Sequence, residues 1–566
     1  MKKALLFFPL LLAALLCGSP SIYGEPSEDF IQAMARHLNC FPLQLVDPGR
    51  QEISIVDEEL CLAAIYAATG MKPLWVTEHG PADKASVLLH FLEHAGNEGL
   101  RPDDYNVAGI RSLWQSRDPE NLALLETQLT LNFIKYAHDV SHGRIRPYRT
   151  DPYLFAEAGD IHFKPVRMVE QALAAPDLAL YLAGLPPSHE QYGKLRVALQ
   201  FFRNIAAEGG WTGVSYGGML RPGDRDERIR QIRERLTGLG EALPAAVDET
   251  FYDEQLVQVV KNFQKKFGLV EDGIIGPQTM GALNTTPEQI IRKIIVNMAR
   301  WRWQEHELGQ RHIMVNIANF DLKAVEDGRE VLDMAVIVGK FQHQTPVFSH
   351  RVQYVDFNPF WNIPPSIARN EDLPELRKDP YYLVNKKVRL FSGWDADAIE
   401  LDSTAVDWQS VTPREMNRYK LRQDPGPWNA LGPVKLVFPN KYDVYIHGTP
   451  AQELFEHNIR NFSHGCIRAS RPLDLVHFAL AGEKGNWSLE EIQNIVAGGE
   501  RKVASIRASL PVHITYQTVW VDNQGIIHFN SDIYGRDRKL GEILFAADSP
   551  ADPINNITVN EQKHLP

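Results

Sequence analysis

Apolar residues recur at helical spacing through the first half of the chain and change to strand-like alternation after about residue 311. Runs such as Ala85–Leu92 and Leu122–Ala137 repeat every three to four residues, so residues 25–225 are expected to form a mainly helical domain. A Gly-rich stretch with a proline, between Gly209 and Asp224, reads as a loop or linker. Two helical stripes follow. Ile229, Ile232, Leu236 and Leu239 share one face, and Leu256, Val259, Val260, Phe263 and Phe267 share another at offsets 0, 3, 4, 7 and 11. Asp272-Gly273 and Gly276-Pro277 mark tight turns before a short helix carrying Thr279 and Leu283. A compact helical module is therefore expected over 226–290, and the stripe Ile291, Ile294, Ile295 and Met298 predicts a linking helix that reaches 310.

Ile313, Val315 and Ile317 alternate with Met314 and Asn316, as on a strand. Val336, Val338, Val352, Tyr354, Leu436, Phe438, Val444 and Ile446 continue the habit, which predicts a mostly β domain over 311–535. Residues 366–427 break the alternation; they are charged, polar and dotted with proline. They read as an inserted cap over the β domain, and long insertions of this kind often serve as lids or binding loops. Residues 536–566 are expected to be a C-terminal tail, loosely ordered beyond about 545.

With 566 residues, two to four domains are expected at about 100–200 residues each. A formal net charge of −12 argues against sequence-independent nucleic-acid binding, which needs a basic surface. Lys2 and Lys3 precede an apolar run from Ala4 to Leu16, followed by Gly18-Ser19-Pro20. This reads as a secretory signal peptide over 1–24, too short to span a bilayer comfortably. Leu16 stands before Cys17 where a lipid anchor would want a small residue. A periplasmic protein is expected, with inner-membrane association left open. Signal removal leaves Cys40, Cys61 and Cys466, an odd number that hints at a free reactive thiol. Cys40 and Cys61 either pair or are two small buried hydrophobes.

The chemistry concentrates between residues 442 and 468. Tyr445 and His447 lie two apart on an expected strand and so share a face. After fifteen residues comes Ser463-His464-Gly465-Cys466-Ile467-Arg468. A cysteine nucleophile needs a base to take its proton and donors for the oxyanion. Cys466 with His447 meets the first need. Gly465 permits a turn that aims its own amide and that of Cys466 at one point. Ser141-His142-Gly143 repeats the tripeptide without the cysteine, so the tripeptide alone is cheap. His457, His477 and His513 read as structural. No Cys-x-x-Cys or His-Glu-x-x-His accompanies the site, so no metal is expected.

His447-Gly448-Thr449, the gap and Ser463-His464-Gly465-Cys466 resemble the signature of the L,D-transpeptidase (YkuD-type) catalytic domain. Val338-Gly339-Lys340, Thr345-Pro346, Asn358 to Ile367 and Leu431-Gly432-Pro433-Val434-Lys435 are similar to further blocks of that domain. Phe263-Gln264, Gly268-Leu269, Asp272-Gly273, Gly276, Thr279 and Ala282-Leu283-Asn284 resemble the three-helix peptidoglycan-binding-like domain, which is either a glycan-binding module or a spacer. Together the chain resembles the large, YcbB-type members. The implied architecture is multidomain α+β: a helical scaffold, the three-helix module, and a mostly β catalytic domain with its cap. The resemblance implies Cys466 as nucleophile, His447 as base oriented by the Gly448 carbonyl, and His464 as an assisting residue. It implies Gly465, Cys466 and Tyr445 as oxyanion donors, supported by Ser463, with Trp361 and Arg468 shaping the substrate pocket. It further implies no cofactor, tetrapeptide stems of peptidoglycan as donor and acceptor, 3-3 cross-links, acylation by carbapenem β-lactams, and other cell-wall synthesis proteins as company. A hydrolase of the same fold (a carboxypeptidase, or an amidase releasing a wall-linked protein) and a non-catalytic wall-binding scaffold remain open, as does the oligomeric state.

Overall fold

The structure, a computed structural model, describes residues 28–40, 58–154, 163–485 and 487–546. The expected signal peptide, Cys17, the Cys40 and Cys61 side chains and the chain beyond 546 lie outside the described residues. The chain divides into two compact units, one holding residues up to 152, 156–307 and from 518 onward, the other 153–155 and 308–517.

In the first unit α1 (Glu28–Cys40) packs against α2 (Pro119–Ser141). Most of α2 is buried, polar residues included, because it runs through the middle of this helical layer. Its Glu126 carboxylate accepts from the Leu74, Trp75 and Val76 amides at 2.7, 2.9 and 3.0 Å and from the Tyr66 hydroxyl at 2.8 Å. A buried acid is tolerated there because its oxygens replace water as partners of a connecting segment. α3 (Glu190–Ala207) follows.

The three-helix module is α4 (Glu227–Gly238), α5 (Glu254–Lys266) and α6 (Pro277–Leu283). Ile229, Ile232, Leu236, Leu256, Val260, Phe263, Met280 and Leu283 form its core. Gln264 is buried and fully engaged: its amide donates to Asp272, the Ile274 carbonyl and Thr279 at 2.9, 3.0 and 3.1 Å, and its oxygen accepts from Gly273 N–H at 2.9 Å. The polar residues of this stretch thus hold the turn together from inside. α7 (Pro287–Arg302) begins with Thr286 and Gln289 satisfying each other's backbone, with Pro287 at its first position, and packs on α3.

The second unit is a closed eight-stranded barrel. Its strands are β1 (Arg311–Asn316), β2 (Asp321–Glu326), β3 (Arg329–Ile337), β4 (Phe348–Phe357), β5 (Val434–Val437), β6 (Ile446–His447), β7 (Ile467–Ala469) and β8 (Lys502–Thr515). Around the barrel the order is β5-β6-β7-β3-β2-β1-β8-β4, and β4 closes back on β5. Only β6–β7 and β8–β1 run parallel. The β domain was expected to continue to 535. Its last strand instead ends at Thr515, and residues from 518 belong to the first unit. There Val519–Val521 pairs with Ile527–Phe529, and Phe529 stacks on Phe267 with centroids 4.7 Å apart. The tail expected from 536 opens with a helix, Arg536–Leu544, that buries Leu540.

The insertion between β4 and β5 has its own core of Ile363, Ala368, Leu373, Leu376, Leu383, Leu390, Trp408, Met416 and Leu421. A four-stranded sheet in the order 361–362, 420–423, 388–391, 400–401 supports it. The cap therefore starts earlier than 366, because Trp361–Asn362 pairs with Gln423 and Arg422. A short π-helix, Ala368–Asp372, lies at its edge; such turns are rare and often mark functional positions.

Candidate active site

β6 is two residues long and sits between β5 and β7. Lys435 lies opposite His447 on one side, and Arg468 lies beside His447 on the other. The Ile467 amide donates to the Tyr445 carbonyl at 3.0 Å, which extends the parallel ladder one step toward Cys466. Side chains alternate along strands, so Ile446, Ile467 and Leu436 point into the apolar core while Lys435, Tyr445, His447, Cys466 and Arg468 share the other face.

The loop carrying Cys466 is fixed from several sides. Lys340 N–H donates to the Ser463 carbonyl and Ser463 N–H to the Val338 carbonyl, both at 2.9 Å. Thr345, fully buried, accepts from Gly339 N–H and donates to the Gly465 carbonyl, both at 2.9 Å. Gly465 takes φ +111°, a conformation that other residues resist. The Ser463 hydroxyl donates to the Cys466 carbonyl at 2.5 Å and accepts from the Gly465 amide at 3.1 Å. That last bond corrects an expectation: the Gly465 N–H is occupied by Ser463 and does not face an incoming oxyanion. The Cys466 N–H has no hydrogen-bond partner among the described residues.

Cys466 is the one free thiol among the described cysteine side chains. Tyr445 faces its sulfur with both its main-chain N–H and its phenol, and Sγ lies 3.6 Å from the Asp443 carbonyl. The residue is only half-buried, yet protein surrounds the sulfur closely enough that burial pushes the thiol pKa up. The Tyr445 donors and the charges of Lys435 and Arg468 oppose that rise. Burial also pushes the Tyr445 phenol well above its ordinary value, so it stays a neutral donor.

His447 is buried, and its Nδ1 lies 2.5 Å from the Gly448 carbonyl. A carbonyl only accepts, so Nδ1 carries the proton in the neutral ring; the Leu431 carbonyl also lies within reach of the imidazole. Burial, aided by Arg468, pulls the imidazole down from 6.5 to about 3, and His447 is therefore neutral across the physiological range. Arg468 is half-buried with a buried Nε that finds no acceptor.

His464 points elsewhere. Its Nε2 contacts Glu371 of the cap at 2.5 Å, and Lys340 Nζ lies 3.3 Å from the same nitrogen and 3.6 Å from Glu371. His343 completes the group, with its ring 5.1 Å from that of His464. Ligand atoms of His343, Glu371 and His464 lie within 4.8 Å of one another, but the ammonium of Lys340 already supplies a positive charge there. Trp361 stands in the cap sheet and packs on the cap core. His513 is buried, paired to Ser349 at 2.8 Å and to the Leu308 carbonyl at 2.9 Å.

Residues 310–486 match the L,D-transpeptidase catalytic domain. Residues 61–199 match the Scaffold domain, and residues 225–283 the "Putative peptidoglycan binding domain". A "Putative L,D-transpeptidase" of Haemophilus influenzae is 32% identical over 228 residues, which are 40% of this chain and 45% of that protein. The N-acetylmuramoyl-L-alanine amidase CwlL of Bacillus licheniformis is 38% identical over 69 residues, 12% of this chain and 19% of that one. The chain thus spans less than half the length of the curated relatives it matches. Among solved structures, the L,D-transpeptidase of Xylanimonas cellulosilytica aligns over 53% of this chain and 98% of its own, at 16% identity and a TM-score of 0.16.

Sequence reasoning gave no site role to four groups near the candidate site, although two of them, Thr345 and Lys435, lie in the blocks that carry the resemblance. Lys435 had a signal: it is the lone charge in the strand Val434-Lys435-Leu436-Val437. Thr345 had a weaker one, as a hydroxyl before Pro346. The Asp443 carbonyl had none, and neither did Glu371, which reaches His464 from 93 residues away.

Proposed function

We propose that the protein is an exported peptidoglycan L,D-transpeptidase that joins stem peptides by 3-3 cross-links through a thioester on Cys466. The observation that carries this reading is the shared face: a free thiol next to the donors of Tyr445, on the same side of the strands as a neutral His447 whose Nδ1 proton is held by the Gly448 carbonyl. Match of residues 310–486 to the L,D-transpeptidase domain, and of 225–283 to the peptidoglycan binding domain, supports the substrate.

The chemistry runs in two balanced steps. Cys466 gives its proton to His447 Nε2, and the thiolate attacks the carbonyl of the third residue, a diaminopimelate, in a tetrapeptide stem. The Cys466 N–H and the Tyr445 hydroxyl hold the oxyanion. The carbon–nitrogen bond to the terminal D-Ala breaks, and the leaving amine takes the proton from His447. An amine of a neighbouring stem then loses a proton to His447 and attacks the thioester; the new amide forms and Cys466 leaves as thiolate, to be reprotonated. At rest the pair is a thiol and a neutral imidazole, since burial pushes the first up and the second down. The proton therefore moves as substrate arrives.

The test is a product assay on muropeptides with the full chain, alongside intact mass after a carbapenem. New 3-3 dimers and a mass gain that disappears in Cys466→Ala are expected. Shortened stems without dimers would place the protein among hydrolases, and no mass gain on the intact chain would overturn Cys466 as nucleophile.

A further inference from the structure

Lys435 is half-buried in β5, and among the described residues its ammonium makes no hydrogen bond and no ion pair. Its nearest group is aromatic: Nζ stands 3.6 Å from the centroid of the Tyr445 ring. An ammonium over a phenol face is an attractive contact whose strength grows as water is removed. The expected counter-ion lies directly opposite on β4, where Asp356 is the register partner of Lys435. Asp356 is already taken. Both its oxygens accept from Arg501, at 2.8 and 2.9 Å, in a two-pronged pair. The carboxylate that would neutralise Lys435 is held by another cation, and the ammonium is left facing Tyr445, whose hydroxyl faces Cys466.

The groups around Lys435 can be named element by element. β4 gives Asp356, neutralised by Arg501; the segment before β6 gives Asp443 and Tyr445; β6 gives His447; the nucleophile loop and β7 give Cys466 and Arg468. Cys466 is the only one of these that gains a negative charge during the reaction.

We propose that Lys435, seated on the Tyr445 ring, is the positioning residue that supplies the positive field under which Cys466 ionises. It works in two ways. Through space it favours the thiolate. Through the ring it draws electron density from the phenol and makes the hydroxyl a better donor to sulfur. The same charge disfavours protonation of His447, so both members of the pair shift toward their deprotonated forms. Burial draws the Lys435 ammonium itself below its ordinary value, and the nearby Cys466 opposes this, as expected for a cation that gains from a thiolate. This rests on Cys466 being the nucleophile, but the test does not use transpeptidase activity.

Alkylation of Cys466 in the intact chain by iodoacetamide, followed by mass across about pH 6 to 11, reads the thiolate directly. Lys435→Met keeps the length and removes the charge. The midpoint of the rate profile is expected to rise by about one unit, slowing alkylation at neutral pH about tenfold, while the plateau rate at high pH is unchanged. Lys435→Arg restores the charge and should bring the midpoint back toward wild type. Lys435→Gln serves the same purpose if the Met variant does not fold. An unchanged midpoint in a folded variant overturns the proposal. So does a fall in rate by one factor at every pH, which would mean lost access to sulfur. If the proposal fails but carbapenem still adds to Cys466, the function stands; if no adduct forms in wild type while the midpoint shifts, the function fails and Lys435 still governs the thiol.

Discussion

Thr345→Val offers the sharpest test of how the nucleophile loop is held. Valine has nearly the shape of threonine, so the substitution removes the hydrogen bonds of the hydroxyl, those to Gly339 and Gly465 among them. Gly339 N–H loses an acceptor at 2.9 Å and the Gly465 carbonyl loses a donor at 2.9 Å, at a residue with no exposed surface. Neither group can move to water. A Cβ on Gly339 would already meet the His343 carbonyl at 2.0 Å and the Gly465 Cα at 3.1 Å, so the strands are in close contact there. Each stranded group costs about 1–3 kcal/mol, and the added methyl returns about 0.8, for a net loss of about 1–5 kcal/mol. A chain of two units has no single unfolding free energy, so local amide exchange is the appropriate measure. The reporters are the Lys340 and Ser463 amides, whose own bonds survive the change. Their protection should fall by about tenfold to several thousandfold, and Thr345→Ser should keep wild-type protection. If both amides in Thr345→Val exchange within threefold of wild type, the reasoning is wrong.

Gly339→Ala forces the main chain apart at the same place, and carbapenem acylation of Cys466 followed by mass should slow by about a hundredfold. Gln264→Leu strands Gly273 N–H and takes one bond each from Asp272, the Ile274 carbonyl and Thr279, which keep other partners; a loss of about 2–4 kcal/mol should appear as faster exchange at Gly273 and Ile274. His447 has a folded pKa depressed from 6.5 to about 3, so the unfolded chain takes up a proton first and stability is lost as pH falls through that window. Between about pH 7 and pH 5 the wild-type barrel should lose about 2 kcal/mol more than His447→Gln, read from the exchange protection of the Ile467 amide, and equal losses would contradict the burial argument.

The barrel strands were legible because one face of each is core: Ile313 and Val315 in β1, and Leu436 and Ile446 beside the site, are all fully buried. The candidate site was legible for a different reason, the local spacing of Tyr445, His447 and Cys466. The cap was not, since its strands are two to four residues long and no period can establish itself over such lengths. Its membership of a separate core is set by contacts such as Leu390 with Leu421, 31 residues apart and invisible to a local pattern. The end of the β domain was misplaced for a related reason. Val519–Val521 and Ile527–Phe529 read as strands and are strands, but they pair with each other and bury Phe529 against Phe267. Nothing local says which unit a two-stranded ribbon will cover. The role given to Gly465 failed at a finer level: the residue has the left-handed backbone expected of it, while its amide is taken by the hydroxyl two residues earlier.

The two Ser-His-Gly tripeptides show where the specificity of the site resides. At the end of α2, Ser141 donates to the Ala137 carbonyl at 2.5 Å and Gly143 takes φ +88° to leave the helix. At the nucleophile, Ser463 donates to the Cys466 carbonyl at 2.5 Å and Gly465 takes φ +111°. The local chemistry is the same in both: a hydroxyl ties down a carbonyl, and a glycine turns the chain where other residues would be strained. What differs is the company. The first tripeptide closes a helix. The second lies between Thr345, which fixes the Gly465 carbonyl, and Tyr445, which aims two donors at sulfur. Tyr445 reaches that position because Ile446 pairs with Ile467, and a slip of one residue would turn Tyr445 and His447 into the apolar interior. Burial of Ile446, Ile467 and Leu436 forbids the slip. The hydrophobic core of the barrel thus sets the register that brings base, donors and thiol to one face.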